Sequence, residues 1–171
     1  MTALARAVRA VGVAVDRVGT VAMVVSALAV AVMAALVTVE VLARSFASVS
    51  TLVADEMAGY LLVVLAFFGL AETLRAGAFI RVEFVDRWLG ADARRRLEAV
   101  LFVVALAYTV LLAWEFWRLT MQSFRFGSTS LQVSRTPLWI PQTCMAVGAS
   151  ILALQLVVET LRRLTGEAAR T

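Results

Sequence analysis

From Val18 to Leu42 the sequence reads VGTVAMVVSALAVAVMAALVTVEVL, and Glu40 is the one charged residue in it. Three comparable apolar runs follow, at about Glu56 to Leu74, Leu97 to Leu119 and Pro141 to Leu161. A helix crosses a bilayer core with roughly 20 apolar residues, and tilt or snorkelling at the ends absorbs a small mismatch. Lipid offers backbone N–H and C=O groups no partners, and the runs lack the alternation of barrel strands, so each is read as a helix. The first run also exceeds the apolar stretch of a cleaved leader, about 7–15 residues, and is read as a retained helix. The expected fold is an all-α integral membrane protein, with four transmembrane helices in a single domain over residues 1–171.

Composition excludes several function classes. The chain is 62% hydrophobic and 16% charged, against about 25% charged in soluble domains. Cys144 is the single cysteine and histidine is absent, so no intramolecular disulfide, imidazole base or histidine-ligated haem is expected. No cofactor and no catalytic, metal or substrate-binding residue is expected. All 16 basic residues are arginine, and they lie between the apolar runs rather than on a solvated face that would track phosphates. Nucleic acid is therefore not an expected partner; membrane lipid is.

The arginines set the orientation. The tail before span one holds Arg6, Arg9 and Arg17, and the tail after span four holds Arg162, Arg163 and Arg170. Between spans two and three lie Arg75, Arg81, Arg87, Arg94, Arg95 and Arg96. The opposite side has only Arg44, Arg118, Arg125 and Arg135. Positively charged loops stay in the cytoplasm, which puts both termini there. Within the long cytoplasmic gap, RVEFVDRWL at 81–89 gathers Val82, Phe84, Val85, Trp88 and Leu89 on one arc of a helical wheel. A short amphipathic helix is expected, lying in the interface with Val82, Val85, Trp88 and Leu89 toward lipid. Gly90 would end it, and Asp92 would N-cap span three. The other long gap, about Thr120 to Ile140, is polar, with Pro141 opening span four at an N1-like position. Trp114, Trp117 and Trp139 are assigned to an aromatic belt at the outer interface.

An ionisable residue near the bilayer centre signals function, and the runs place none there. Glu40 pairs with Arg44 and Glu115 with Arg118 near the outer ends, and Glu159 precedes Arg162 and Arg163 at the inner end. A self-sufficient ion-coupled transporter would carry carboxylates or broken helices at the midplane. Ser26, Ser150 and Cys144 read as helix-packing residues. Span two stands apart. Its uncharged stretch, Met57 to Ala71, covers only ~22 Å against about 30 Å of hydrocarbon. Asp55, Glu56 and Glu72 at its ends therefore need shelter. Gly59, Ala66, Gly69 and Thr73 form a small-residue stripe that admits another helix closely. That helix belongs either to the same bundle or to a partner chain.

The stretch ADEMAGYLLVVLAFFGLAETLRAGAFIRVEF, the arginine closing VEVLAR (Arg44) and the TPLWIPQ that opens span four are similar to one known family. This is the small, DctQ-like membrane subunit of tripartite ATP-independent periplasmic (TRAP) transporters, and the likeness covers nearly the whole chain. The family's Glu corresponds to Glu56, its central Gly to Gly69, and its Arg and Gly to Arg75 and Gly77. Phe79 stands where the family has histidine, so no imidazole role carries over. The resemblance implies a non-catalytic subunit of the bacterial inner membrane. It would scaffold a large membrane subunit that moves substrate and cation, while a periplasmic binding protein delivers an organic acid and sodium usually drives uptake. The candidate interface with the large subunit is Asp55, Glu56, Gly59, Ala66, Gly69, Thr73 and Arg75. An autonomous oligomeric exporter or channel using Glu40 is the alternative, with a membrane redox or assembly protein behind it.

Overall fold

The computed structural model describes residues 3–50, 53–76 and 90–164. They form four helices: α1 (Ala3–Ala47), α2 (Ala54–Arg75), α3 (Ala91–Phe126) and α4 (Trp139–Leu164). Each contains a stretch long and apolar enough to cross a membrane: Val11–Phe46, Ala54–Leu74, Ala99–Phe126 and Trp139–Leu161. The chain is a multi-pass membrane protein. The interfacial helix expected at 81–89 lies outside the described residues.

The helices outrun the apolar runs that announce them. MQSFRF, assigned to the polar gap, continues α3 to Phe126. The helix ends where Gly127 turns left-handed (φ 60°) and its N–H reaches the Phe124 carbonyl at 3.3 Å, while Ser128 N–H reaches the Ser123 carbonyl at 3.0 Å. Glycine takes that conformation without a Cβ penalty. At the other end of α3 the N-cap is Gly90, and Asp92 falls inside the first turn. α4 begins at Trp139, so Pro141 sits within its first turn, where a missing N–H forfeits no intrahelical bond.

Packing is organised around α4, which meets α1, α2 and α3; α1 also packs along α2. The core is narrow and built from small residues. Ala22, Ala71 and Ile151 are buried together from three helices, with Phe68 and Val147 against them. Along α1 the covered positions from Gly12 to Ala43 recur at alternating steps of three and four: Val15, Gly19, Ala22, Ser26, Ala29, and on through Glu40. That repeat is the seam of a left-handed helix pair. α3 has a seam of the same spacing, including Thr109, Ala113, Phe116, Thr120 and Ser123, and its remaining surface is largely exposed.

Specific contacts fix how the helices are staggered. Ser26 Oγ donates to the Leu65 carbonyl of α2 at 3.0 Å. A Cβ on Gly148 would lie 2.6 Å from Phe67 Cβ and 2.8 Å from the Phe67 carbonyl oxygen, so α4 meets α2 backbone to backbone. The Phe67 ring meets Phe116 of α3 edge to face at 5.3 Å. Trp117 Nε1 donates to Ser150 Oγ at 3.2 Å. Ser26, Phe67, Phe116 and Gly148 thus share one level. At about 1.5 Å per residue, the charges or ends flanking this level bracket ~34 Å on α1 (Arg17 to Glu40), ~24 Å on α2 (Glu56 to Glu72) and ~30 Å on α4 (Trp139 to Glu159). The brackets on α1 and α4 agree with a hydrocarbon layer of about 30 Å, and the one on α2 falls short of it.

That register corrects the reading of span three. Glu115 adjoins Phe116 and Arg118 lies ~3 Å beyond it, so both fall near mid-depth rather than at an outer end. Trp114 and Trp117 leave the aromatic belt for the same reason. An indole N–H in hydrocarbon needs an acceptor, and Ser150 supplies one to Trp117. Trp139 keeps its place at the helix end, edge to face with Phe124 at 5.8 Å. The apolar run misled because α3 is 36 residues long, ~54 Å, and with α1 it extends past the layer at the end away from the 127–138 loop.

Candidate functional site

Of the carboxylates that shorten α2, Glu56 is sheltered by the chain's own loop, whereas Asp55 beside it is exposed. Residues 127–138 fold back on themselves: Ser130 N–H donates to the Thr136 carbonyl at 2.9 Å and Leu138 N–H to the Ser128 carbonyl at 3.0 Å. Ser134 Oγ, two residues from Thr136, donates to Glu56 Oε2 at 2.5 Å, and Tyr60 OH donates to Glu56 Oε1 at 2.6 Å. One carboxylate in the first turn of α2 therefore pins the α3–α4 connection. Its negative charge also suits a helix N-terminus.

Glu40 is held in a second, separate cluster. It is buried, at 7% exposure, yet it accepts from Ser50 Oγ at 2.7 Å and from Arg44 Nη2 at 3.3 Å. Ser50 lies just past the end of α1, so the turn itself closes over the ion pair. The expected i,i+4 pairing is present, as is Arg118 Nη1 with both Glu115 oxygens at 3.0 and 3.2 Å. The partners expected for Glu159, Arg162 and Arg163, have side chains outside the described set.

The small-residue stripe of α2 divides between two environments. Asp55, Gly59, Leu62 and Ala66 are exposed along one line of the helix, and no described residue lies within 4 Å of a Cβ built on Gly59. Gly69 instead faces α1, where Ser26 Oγ would be 3.4 Å from its Cβ. Thr73 is half-buried and bonds back to the Gly69 carbonyl at 2.9 Å. Arg75 ends the helix, with its side chain outside the described set. Glu56 is tied to the loop, as above.

Two packing devices went unread in the sequence. Gly148 permits the backbone contact with Phe67, and the cluster Ala146, Gly148, Ala149, Ser150 was its visible signal. Gly19 makes room for Gln155, which is 3% exposed and donates through Nε2 to the Val15 carbonyl at 3.2 Å. A Cβ on Gly19 would be 2.7 Å from that nitrogen and 3.8 Å from Glu72 Oε2. A buried glutamine opposite a glycine is a polar clasp between α1 and α4.

Comparison with known families gives a match over residues 33–166 to the model for tripartite ATP-independent periplasmic transporters, DctQ component. Comparisons with curated proteins and with solved structures return no match. The matched region takes in the distal part of α1 and all of α2, α3 and α4. Both carboxylate clusters lie within it, while the contacts of Ala22, Ser26 and the Gly19–Gln155 clasp reach back to proximal α1, outside it. The chain belongs to the DctQ family and is the small membrane subunit of a TRAP transporter.

Proposed function

We propose that this subunit is a fixed scaffold for the large TRAP membrane subunit in the bacterial inner membrane, without a substrate or cation site of its own. The large subunit would move the substrate, an organic acid brought by a periplasmic binding protein, with sodium as the coupling ion. The observation that carries this reading is the family match, which runs from the distal part of span one through span four. Both termini would be cytoplasmic, in keeping with the arginine bias. Val82, Val85, Trp88 and Leu89 would hold an interfacial helix in the lipid surface. The exposed line Asp55, Gly59, Leu62, Ala66 on α2 supports a close-packed contact with a partner helix. Gly69 and Thr73 would back that contact from the bundle side.

Reconstituting the large subunit with its binding protein, with and without this chain, tests the reading. Uptake is expected only when the chain is present. Glu40→Gln should leave uptake and its ion dependence unchanged, because the amide still accepts from Ser50. Loss of coupling in a properly assembled Glu40→Gln complex would instead favour an exporter built on that carboxylate.

A further inference from the structure

The face of α3 opposite its seam carries polar residues from mid-helix to the Phe126 end. Tyr108, Glu115, Arg118, Gln122 and Arg125 recur at helical spacing on that face, and all are exposed. The Glu115 and Arg118 side chains are 50% and 66% exposed, close to the level of Phe67 and Gly148, which helix register puts near mid-depth. Glu115 lies ~16 Å along α3 from the Phe126 end, beyond the reach of a snorkelling carboxylate. Arg118 directs Nη1 to Glu115, and its Nη2 and Nε have no acceptor among the described residues. Hydrocarbon supplies none, so lipid is a poor cover for this strip.

We infer that the strip is an intramembrane docking surface for a spanning helix of the large subunit, one that presents a hydrogen-bond acceptor, a carboxylate or amide oxygen, to Arg118. The inference rests on the scaffold reading and names a face for it. It also gives the guanidinium fork a purpose, since its planar donors suit a second carboxylate beside Glu115.

Co-expression with the large subunit, capture by a tag on this chain and quantification of what is recovered tests it. Glu115→Leu/Arg118→Leu should cut recovery roughly ten-fold or more, a change of about 1.4 kcal/mol in association. The variant alone should still insert and elute as wild type does. A lipid-facing strip gives the opposite sign: the apolar pair would leave recovery unchanged or raise it, and the inference would be lost. Glu115→Arg/Arg118→Glu keeps an internal ion pair but displaces the donor, and it should also lower recovery; normal recovery overturns the docking role. In a Cys144→Ala background, Gln122→Cys should resist a membrane-impermeant maleimide in the assembled complex. Labelling there would identify a water-lined crevice instead and overturn the docking role. Failure of the wild-type chain to bring down any large subunit would strike the scaffold reading itself, an outcome separate from all of these.

Discussion

Gly148 shows how little space separates the helices. With α2 atoms 2.6–2.8 Å from where a Cβ would stand, even Gly148→Ala requires α2 and α4 to part. Overpacking of this kind costs about 1–3 kcal/mol, and the midpoint of thermal unfolding in detergent should fall accordingly. Gly59→Ala adds the same methyl to open space and should leave the isolated chain's midpoint in place. A residue's meaning here was legible where its partner is local. The pairs Glu40–Arg44 and Glu115–Arg118 follow from helical spacing alone. It was illegible where the partner is distant: Ser134 lies 78 residues from Glu56, and Val15 lies 140 from Gln155. Nothing in the local pattern of QLVVE marks Gln155 as a clasp.

At the scale of elements, apolar length announced four helices but not their neighbours. In water a buried face is recognised because the other face is polar; in lipid both faces are apolar and the contrast disappears. The remaining signal is residue size, and α1 carries it in the three-four repeat through Gly19, Ala22, Ser26 and Ala29. Ser26→Leu should separate α1 from α2 by overpacking, about 1–3 kcal/mol, and remove the bond to Leu65, worth roughly 0.6 kcal/mol in a membrane. Leu28, 60% exposed on the same helix, should tolerate replacement by Val or Phe. Thermal scans of the two sets of variants in one detergent separate seam from surface. The stagger of α3 was the other hidden quantity, because a 36-residue helix can slide several turns through a bilayer without changing its composition.

For the whole molecule, the charge spacing on α1 and α4 indicates depth, while the direction of insertion rests on the arginines. Single cysteines at Thr2, Ala91, Ser128 and Thr171, in a Cys144→Ala background, should give a clear pattern. A membrane-impermeant reagent added to intact cells should label Ser128→Cys and spare the other three. Labelling at Ala91→Cys would invert the topology and, with it, the assignment of the 127–138 loop to the periplasm.

The central position of α4 has a consequence for the order of events during synthesis. The chain emerges from its N-terminus, so α1 and α2, neighbours in sequence, can zip their seam as soon as both are in the bilayer. α3 comes next and finds its principal neighbour not yet made. Glu56 meanwhile waits for the α3–α4 connection to bring Ser134, and Val15 waits for Gln155. The Glu56 contact closes once the connection is made, whereas the α3 seam and the Gln155 clasp wait for the last helix. A chain interrupted before Gly148 is therefore a zipped pair beside a stray segment with charged residues facing lipid, and quality-control proteases in the membrane would meet it in that form.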